Sequence, residues 1–149
     1  MVSRTTPARR AGDGWLLSGG KALVLGGDRA RRILASARLE GGGSALFDCA
    51  ADAPGLQRRA YRLHDGRGAA DLDFDGLRLP ASARVAGPER AAGIVEEARA
   101  FATVALCAET VGAMRKALAL TVEYMRTRKQ FGRSLADNQA LQHRMVARC

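Results

Sequence analysis

Residues 89–129 contain no proline, and through them apolar side chains return at helical spacing: Ile94, Ala98, Phe101, Ala105, Ala108, Val111, Leu118, Val122 and Met125. That period, held over such a length, predicts one continuous helix. Forty residues make a rod of about 60 Å at 1.5 Å per residue. Pro88 suits the first turn, where a missing N–H deprives the helix of nothing. Ala, Gly and Met on several faces, with few charges from Phe101 to Val122, imply neighbouring helices. The chain offers only the segment from about Ala136 to Cys149, so the remaining partners are expected from outside this sequence or from another chain. The run Phe101–Val122 has the length of a membrane span, but Glu109, Arg115 and Lys116 inside it argue against one.

Before Gly87-Pro88 the texture is that of β structure. Asp13-Gly14, Gly19-Gly20, Gly26-Gly27, Gly41–Gly43, Pro54-Gly55, Asp65-Gly66 and Asp75-Gly76 punctuate short strand-like runs. Those runs are Trp15–Ser18, Ala22–Leu25, Ile33–Leu39, Ala45–Cys49, Arg58–Leu63 and Asp71–Leu79, each of strand length. In the last, Leu72, Phe74, Leu77 and Leu79 alternate with Asp71, Asp73 and Asp75, with a bulge expected at Asp75-Gly76. The class is therefore α+β: an antiparallel β sandwich or barrel-like domain over residues 1–87, then two long helices over residues 88–149.

With 149 residues and 47% hydrophobic content the chain can bury a core. Its formal charge of +9 favours anionic partners. Basic residues are spread along the chain and aromatics are 5%, so no aromatic-basic platform for nucleic acid is visible. Cys49, Cys107 and Cys149 have neither the number nor the spacing of a disulfide framework or a zinc site, and a reducing cytoplasm is the expected setting. Met1–Arg10 is basic but no apolar segment with a cleavage site follows it.

The candidate sites are few. Asp71-x-Asp73-x-Asp75-Gly76 begins like a calcium loop, but Ser82 stands where the bidentate Glu belongs, and a solvated strand face is the expected reading. Gly19-Gly20 and Gly26-Gly27 are read as hairpin turns or points of close ligand approach. Neither belongs to a G-x-G-x-x-G element. His64 and His143 are too few for a metal cluster. Arg126, Arg128, Lys129 and Arg133 form the densest basic cluster. They are readable as cations at a helix C-terminus with Gly132 as its C′ residue. Arg128 with Gln130 and Phe131 is equally readable as an anion clamp: guanidinium for a diphosphate, amide donor, ring for a flat heterocycle.

Glu123-Tyr124-x-x-x-Arg128-Lys-Gln130-Phe131-Gly132, followed by Gln139-Ala-Leu-Gln142-His143-x-Met-x-Ala147, closely resembles the signature of the acyl-CoA dehydrogenases. Asp13-Gly14-Trp15-Leu-Leu-Ser-Gly19-x-Lys21 is similar to the start of that family's middle β domain. Tyr61-Arg-Leu-His-Asp65-Gly66 and Ala105–Met114 look more narrowly like the small subunit of a pimeloyl-CoA dehydrogenase. The resemblance implies most of a middle β domain and the first two helices of a C-terminal four-helix bundle, in an assembly of homologous subunits.

It also implies FAD as cofactor, an acyl-CoA as substrate and a place in fatty-acid metabolism. Arg128 and Gln130 would meet the FAD of a neighbouring subunit near its diphosphate, with Phe131 and Gln139 completing that wall. Leu23-Val24-Leu25 stands where the family often has Trp-x-Thr against the flavin, leaving Leu25 a backbone contact only. Ala102 and Thr103 fall where some members carry the base and an acyl-CoA-binding arginine. Neither can take those roles, so no catalytic residue and no metal ligand is expected here. The alternatives are a catalytically silent subunit that lends its Arg128 corner to a partner's FAD, and a basic module for nucleic acid.

Overall fold

The computed structural model describes residues 6–147, so Cys149 and the first five residues of the basic start fall outside the described residues. The chain divides into two compact units, Met1–Glu96 and Glu97–Cys149. In the first, seven strands form one sheet: β1 (Pro7–Ala11), β2 (Gly14–Leu25), β3 (Arg32–Leu39), β4 (Ser44–Ala50), β5 (Leu56–Arg62), β6 (Gly68–Leu79) and β7 (Arg84–Ala86). Their order is β5-β6-β2-β1-β3-β4-β7.

The sheet is mixed, which corrects the expectation of a purely antiparallel sandwich or barrel. β1 runs parallel to β3, with Pro7 opposite Arg38 and Ala8 opposite Leu39. The edges β5 and β7 are not joined, so no barrel closes among the described residues. The sheet curls instead. Trp15 on β2 and Phe47 on β4 have two strands between them, about 14 Å in a flat sheet, yet their rings meet edge to face with centroids 5.3 Å apart. Curling lets both halves share one core of Leu17, Ile33, Phe47, Cys49, Leu72 and Leu77, all buried.

β6 alternates as its sequence predicts, Leu72, Phe74, Leu77 and Leu79 facing the core. The expected bulge is present. Between Leu17↔Leu77 and Gly19↔Phe74 the register slips by one residue, with Gly76 at φ 61°. Gly19-Gly20 is not a hairpin turn: β2 runs straight through it, and Gly19 takes φ 93° beside the slip. Trp15 and Ala22 thus begin no separate strands. Gly26, at φ 71°, does sit in the turn that ends β2.

The long helix forms as the period predicts, α1 (Pro88–Thr127), with Pro88 as its first residue. Its first turns add Ala91 and Ile94 to a small cluster with Leu46 and Ala86. In the second unit the rest of α1 leaves Phe101, Val104 and Met114 largely exposed. A two-stranded ribbon follows, β8 (Lys129–Gln130) and β9 (Arg133–Ser134), and then α2 (Gln139–Val146). Two α-helices are therefore present after the sheet, and over the described residues α2 is eight residues long. Among them no helix is long and apolar enough to cross a membrane.

Candidate functional site

The basic cluster straddles a helix end and a hairpin: Arg126 lies in the last turn of α1, as expected of a cation at a helix C-terminus, while Lys129 and Arg133 lie on the hairpin that follows. α1 ends at Thr127, and the Arg128 N–H makes its last helical bond to the Tyr124 carbonyl at 2.8 Å. Lys129 and Gln130 then pair with Ser134 and Arg133 around a two-residue turn of Phe131 (φ 51°) and Gly132 (φ 79°). Positive φ at both turn residues is the geometry that matches the twist of a two-residue hairpin. Gly132 is therefore left-handed as expected, but as the second turn residue and not as C′ of α1. Phe131 has a side chain to strain, and a bulky residue at positive φ is an outlier.

Bonds from behind hold this turn in place. The Ser134 hydroxyl donates to the Met125 carbonyl at 2.8 Å and accepts the Ala136 N–H at 3.1 Å. Asp137 returns the favour, its carboxylate accepting the Ser134 N–H at 3.1 Å. The Leu135 N–H reaches the Arg128 carbonyl at 3.0 Å. Gln142 donates to the Ala136 carbonyl at 2.7 Å, and Asn138 caps α2 by accepting the Ala140 N–H. A Ser-x-x-Asp capping box can be read in sequence, so Ser134 and Asp137 carried a signal that the sequence reading passed over.

On this frame Arg128, Gln130, Phe131 and Gln139 are all exposed, Phe131 completely. Among the described residues, the Arg128 guanidinium and the Gln130 and Gln139 amides have no hydrogen-bond partner. From 126 to 137 four cations face a single carboxylate, Asp137, already engaged by Ser134. Free donors, excess positive charge and a bare ring suit a ligand with several anionic oxygens and a flat group. His64 and His143 are exposed, and no metal-holding group of side chains occurs among the described residues. Ala102 has no polar side-chain atom, and Thr103 donates its hydroxyl to the Arg99 carbonyl of its own helix at 2.8 Å.

Leu25 belongs to the first unit and stands at the end of a second irregularity. Between Lys21↔Leu72 and Val24↔Ala70, Ala22 and Leu23 together oppose Asp71. Leu23 takes φ 56°. The Asp71 carboxylate accepts the Leu23 N–H at 3.1 Å, the Tyr61 hydroxyl at 2.8 Å and an Arg59 N–H at 2.7 Å. These bonds, Arg59's first, then the Leu23 amide's and Tyr61's, hold its carboxyl down to about 2. Its side chain is 19% exposed, so the solvated face expected for the Asp71 run is corrected at Asp71. Asp75 is exposed as expected. Leu23 and Leu25 are each 55% exposed. A shallow hollow of about 360 Å³ next to Leu25 is rimmed by Arg29, Arg62 and Arg67.

A family model described as the acyl-CoA dehydrogenase C-terminal domain matches residues 92–148. The chain is 30% identical over 152 residues to the acyl-CoA dehydrogenase FadE12 of Mycobacterium tuberculosis, an alignment covering 97% of this chain and 39% of that protein. A crystal structure of a glutaryl-CoA dehydrogenase from Mycobacterium smegmatis in complex with FADH2 superposes with a TM-score of 0.83 at 28% identity, covering 96% of this chain and 37% of that one. The ChsE4-ChsE5 complex of Mycobacterium tuberculosis does so with a TM-score of 0.82 at 28% identity, covering 99% and 39%. The chain thus spans about two fifths of the length of the relatives it matches.

Proposed function

The chain belongs to the acyl-CoA dehydrogenase family, and from that premise we propose that it is one part of an FAD-dependent enzyme that dehydrogenates an acyl-CoA thioester. It acts as a small subunit, or as a portion of a longer polypeptide, in a homo- or hetero-oligomer of related chains. The observation that carries this reading is the braced hairpin with its unpartnered donors. Arg128 and Gln130 hold the diphosphate of an FAD bound mainly by a neighbouring subunit, while Phe131 and Gln139 line the same wall. Separately, Leu25 in the β unit offers a backbone contact to a flavin. When bound, FAD supplies the acceptor for the hydride leaving the β-carbon of the acyl group. The relative crystallised with FADH2 supports the choice of cofactor, and the two-protein ChsE4-ChsE5 structure supports a hetero-oligomer.

Proton abstraction needs a base within reach of the α-carbon. Ala102 and Thr103 give none on α1, so the base comes from elsewhere in the assembly. The same observation favours a second reading, in which this chain is catalytically silent and only lends its corner. The narrower likeness at Tyr61–Gly66 and Ala105–Met114 makes a dicarboxylic acyl group such as pimeloyl-CoA the first substrate to try. The helical part begins at Pro88 as the first two helices of the bundle, and the cytoplasm is its proposed setting.

The test is to express the chain with its genomic neighbour and record the visible spectrum. The complex should carry yellow flavin that an acyl-CoA bleaches, and Arg128→Ala should lower flavin retention about tenfold or more, the loss of a charge-assisted bond. If single replacements of this chain's acidic residues leave turnover intact, the silent reading holds. A flavin-free complex that binds DNA in a salt-dependent way would overturn both.

A further inference from the structure

We propose that Asp71 is a positioning residue, latching the bulge in β2 that turns Leu23 and Leu25 outward as an apolar edge for the flavin, adding side-chain contact to the backbone contact proposed for Leu25; this deepens the reading above and rests on it. Trp15, Leu17, Gly19 and Lys21 lie opposite Leu79, Leu77, Phe74 and Leu72, the core-facing residues of β6. Continued alternation would carry Leu23 and Leu25 into the core and Val24 out. One extra residue on β2 reverses this, because a single-residue slip moves every later side chain to the other face. Val24 packs against the core, and the two leucines stand half exposed.

The reversal is held by a built device. Leu23 adopts a left-handed conformation that a branched side chain resists. Its N–H, drawn out of the regular ladder, is taken by Asp71, the residue opposite the bulge. Arg59 and Tyr61, neighbours of Asp71 on β5, fix the carboxylate from the other side. Strained backbone persists where surroundings over-determine it, and it gathers at ligand sites. Two leucines moved from core to surface at such a point are an edge made for an apolar, planar ligand.

The test uses the flavin-loaded assembly with Asp71→Ala, Asp71→Asn and Leu23→Gly. Hydrogen exchange at the Leu23 amide reads the latch, and the flavin's visible band and its rate of loss read the edge. Asp71→Ala should speed exchange at Leu23 about tenfold or more, shift the band and hasten flavin loss. Asp71→Asn keeps an acceptor oxygen and should restore protection in part. Leu23→Gly added to Asp71→Ala removes the strain and should recover stability without recovering the band, which separates positioning from folding. Should Asp71→Ala fail to fold, Tyr61→Phe, which removes one of the three bonds, should give the same changes at smaller size. Unchanged exchange at Leu23, or an unchanged band in a variant whose Leu23 amide is released, overturns the latch alone. A wild-type assembly without flavin overturns it together with the proposed function.

Discussion

A carboxylate that collects three donors becomes an acid-sensitive fastener, and Asp71 is such a group. Its carboxyl sits at about 2 in the folded chain, against about 3.9 for an unperturbed aspartate. The folded value is the lower, so its contribution is complete above about pH 4 and is lost as pH falls from about 4 through about 2. Asp48 and Asp65 are also lowered, chiefly by Arg32 and by Arg67, so acid weakens the β unit at several points. Subtraction isolates Asp71: the stability gap between wild type and Asp71→Asn should be steady near neutrality and shrink below about pH 4. Urea unfolding followed by fluorescence of Trp15, the only tryptophan, buried against Phe47, measures it. A gap that stays constant down to about pH 2 would show that the carboxylate charge contributes nothing.

Among the elements, legibility followed periodicity. α1 was readable because forty residues repeat one pattern, and β3, β4 and β6 because apolar residues alternate or cluster between glycine turns. β1 was missed: Pro7, Arg9 and Arg10 carry no strand pattern, and only pairing with β2 and β3 makes the segment a strand. The slip at Leu23 and the role of Asp71 depend on cross-strand register, which spacing along one strand does not contain. The hairpin β8–β9 has two-residue strands, too short for any period, and its Phe-Gly turn lacks the usual Asn-Gly signal. Arg128, Gln130, Phe131 and Gln139 stand out in the sequence as one cation, amide and ring segment and are exposed in the structure, while the frame behind them, built from Ser134, Asp137 and Asn138, depends on bonds of which spacing displays only the capping box. That frame yields paired predictions. Phe131→Gly relieves left-handed strain worth about 1 kcal/mol, so thermal stability should hold or rise while flavin retention falls. Ser134→Ala removes the bonds to Met125 and Ala136 and should destabilise the corner by about 1 kcal/mol, with faster amide exchange at Lys129–Ser134 and weaker flavin retention. If Phe131→Gly retains flavin normally, the ring is not part of the site.

At the scale of the whole molecule the deciding quantity is where charge and apolar surface lie. The chain carries +9, yet α1 holds five acidic and five basic residues and is neutral, so self-repulsion does not protect it. Along it Phe101, Val104, Leu106, Met114 and Leu120 are each more than half exposed, a run of apolar surface that isolated proteins rarely tolerate. The chain by itself should therefore associate or aggregate at micromolar concentration, and Phe101→Glu with Met114→Glu should reduce this, as read by sedimentation velocity. Cysteine reactivity supplies a second reading of the same surface. Cys107 is exposed on α1, whereas burial pushes the Cys49 thiol up to about 11, leaving almost no reactive thiolate at neutral pH. Iodoacetamide should label Cys107 in the separate chain and spare Cys49, and assembly with related chains should shield Cys107 as the helix finds its neighbours. A monomer with a cooperative melt, its Cys107 equally reactive alone and in the complex, would mean that α1 needs no such neighbours.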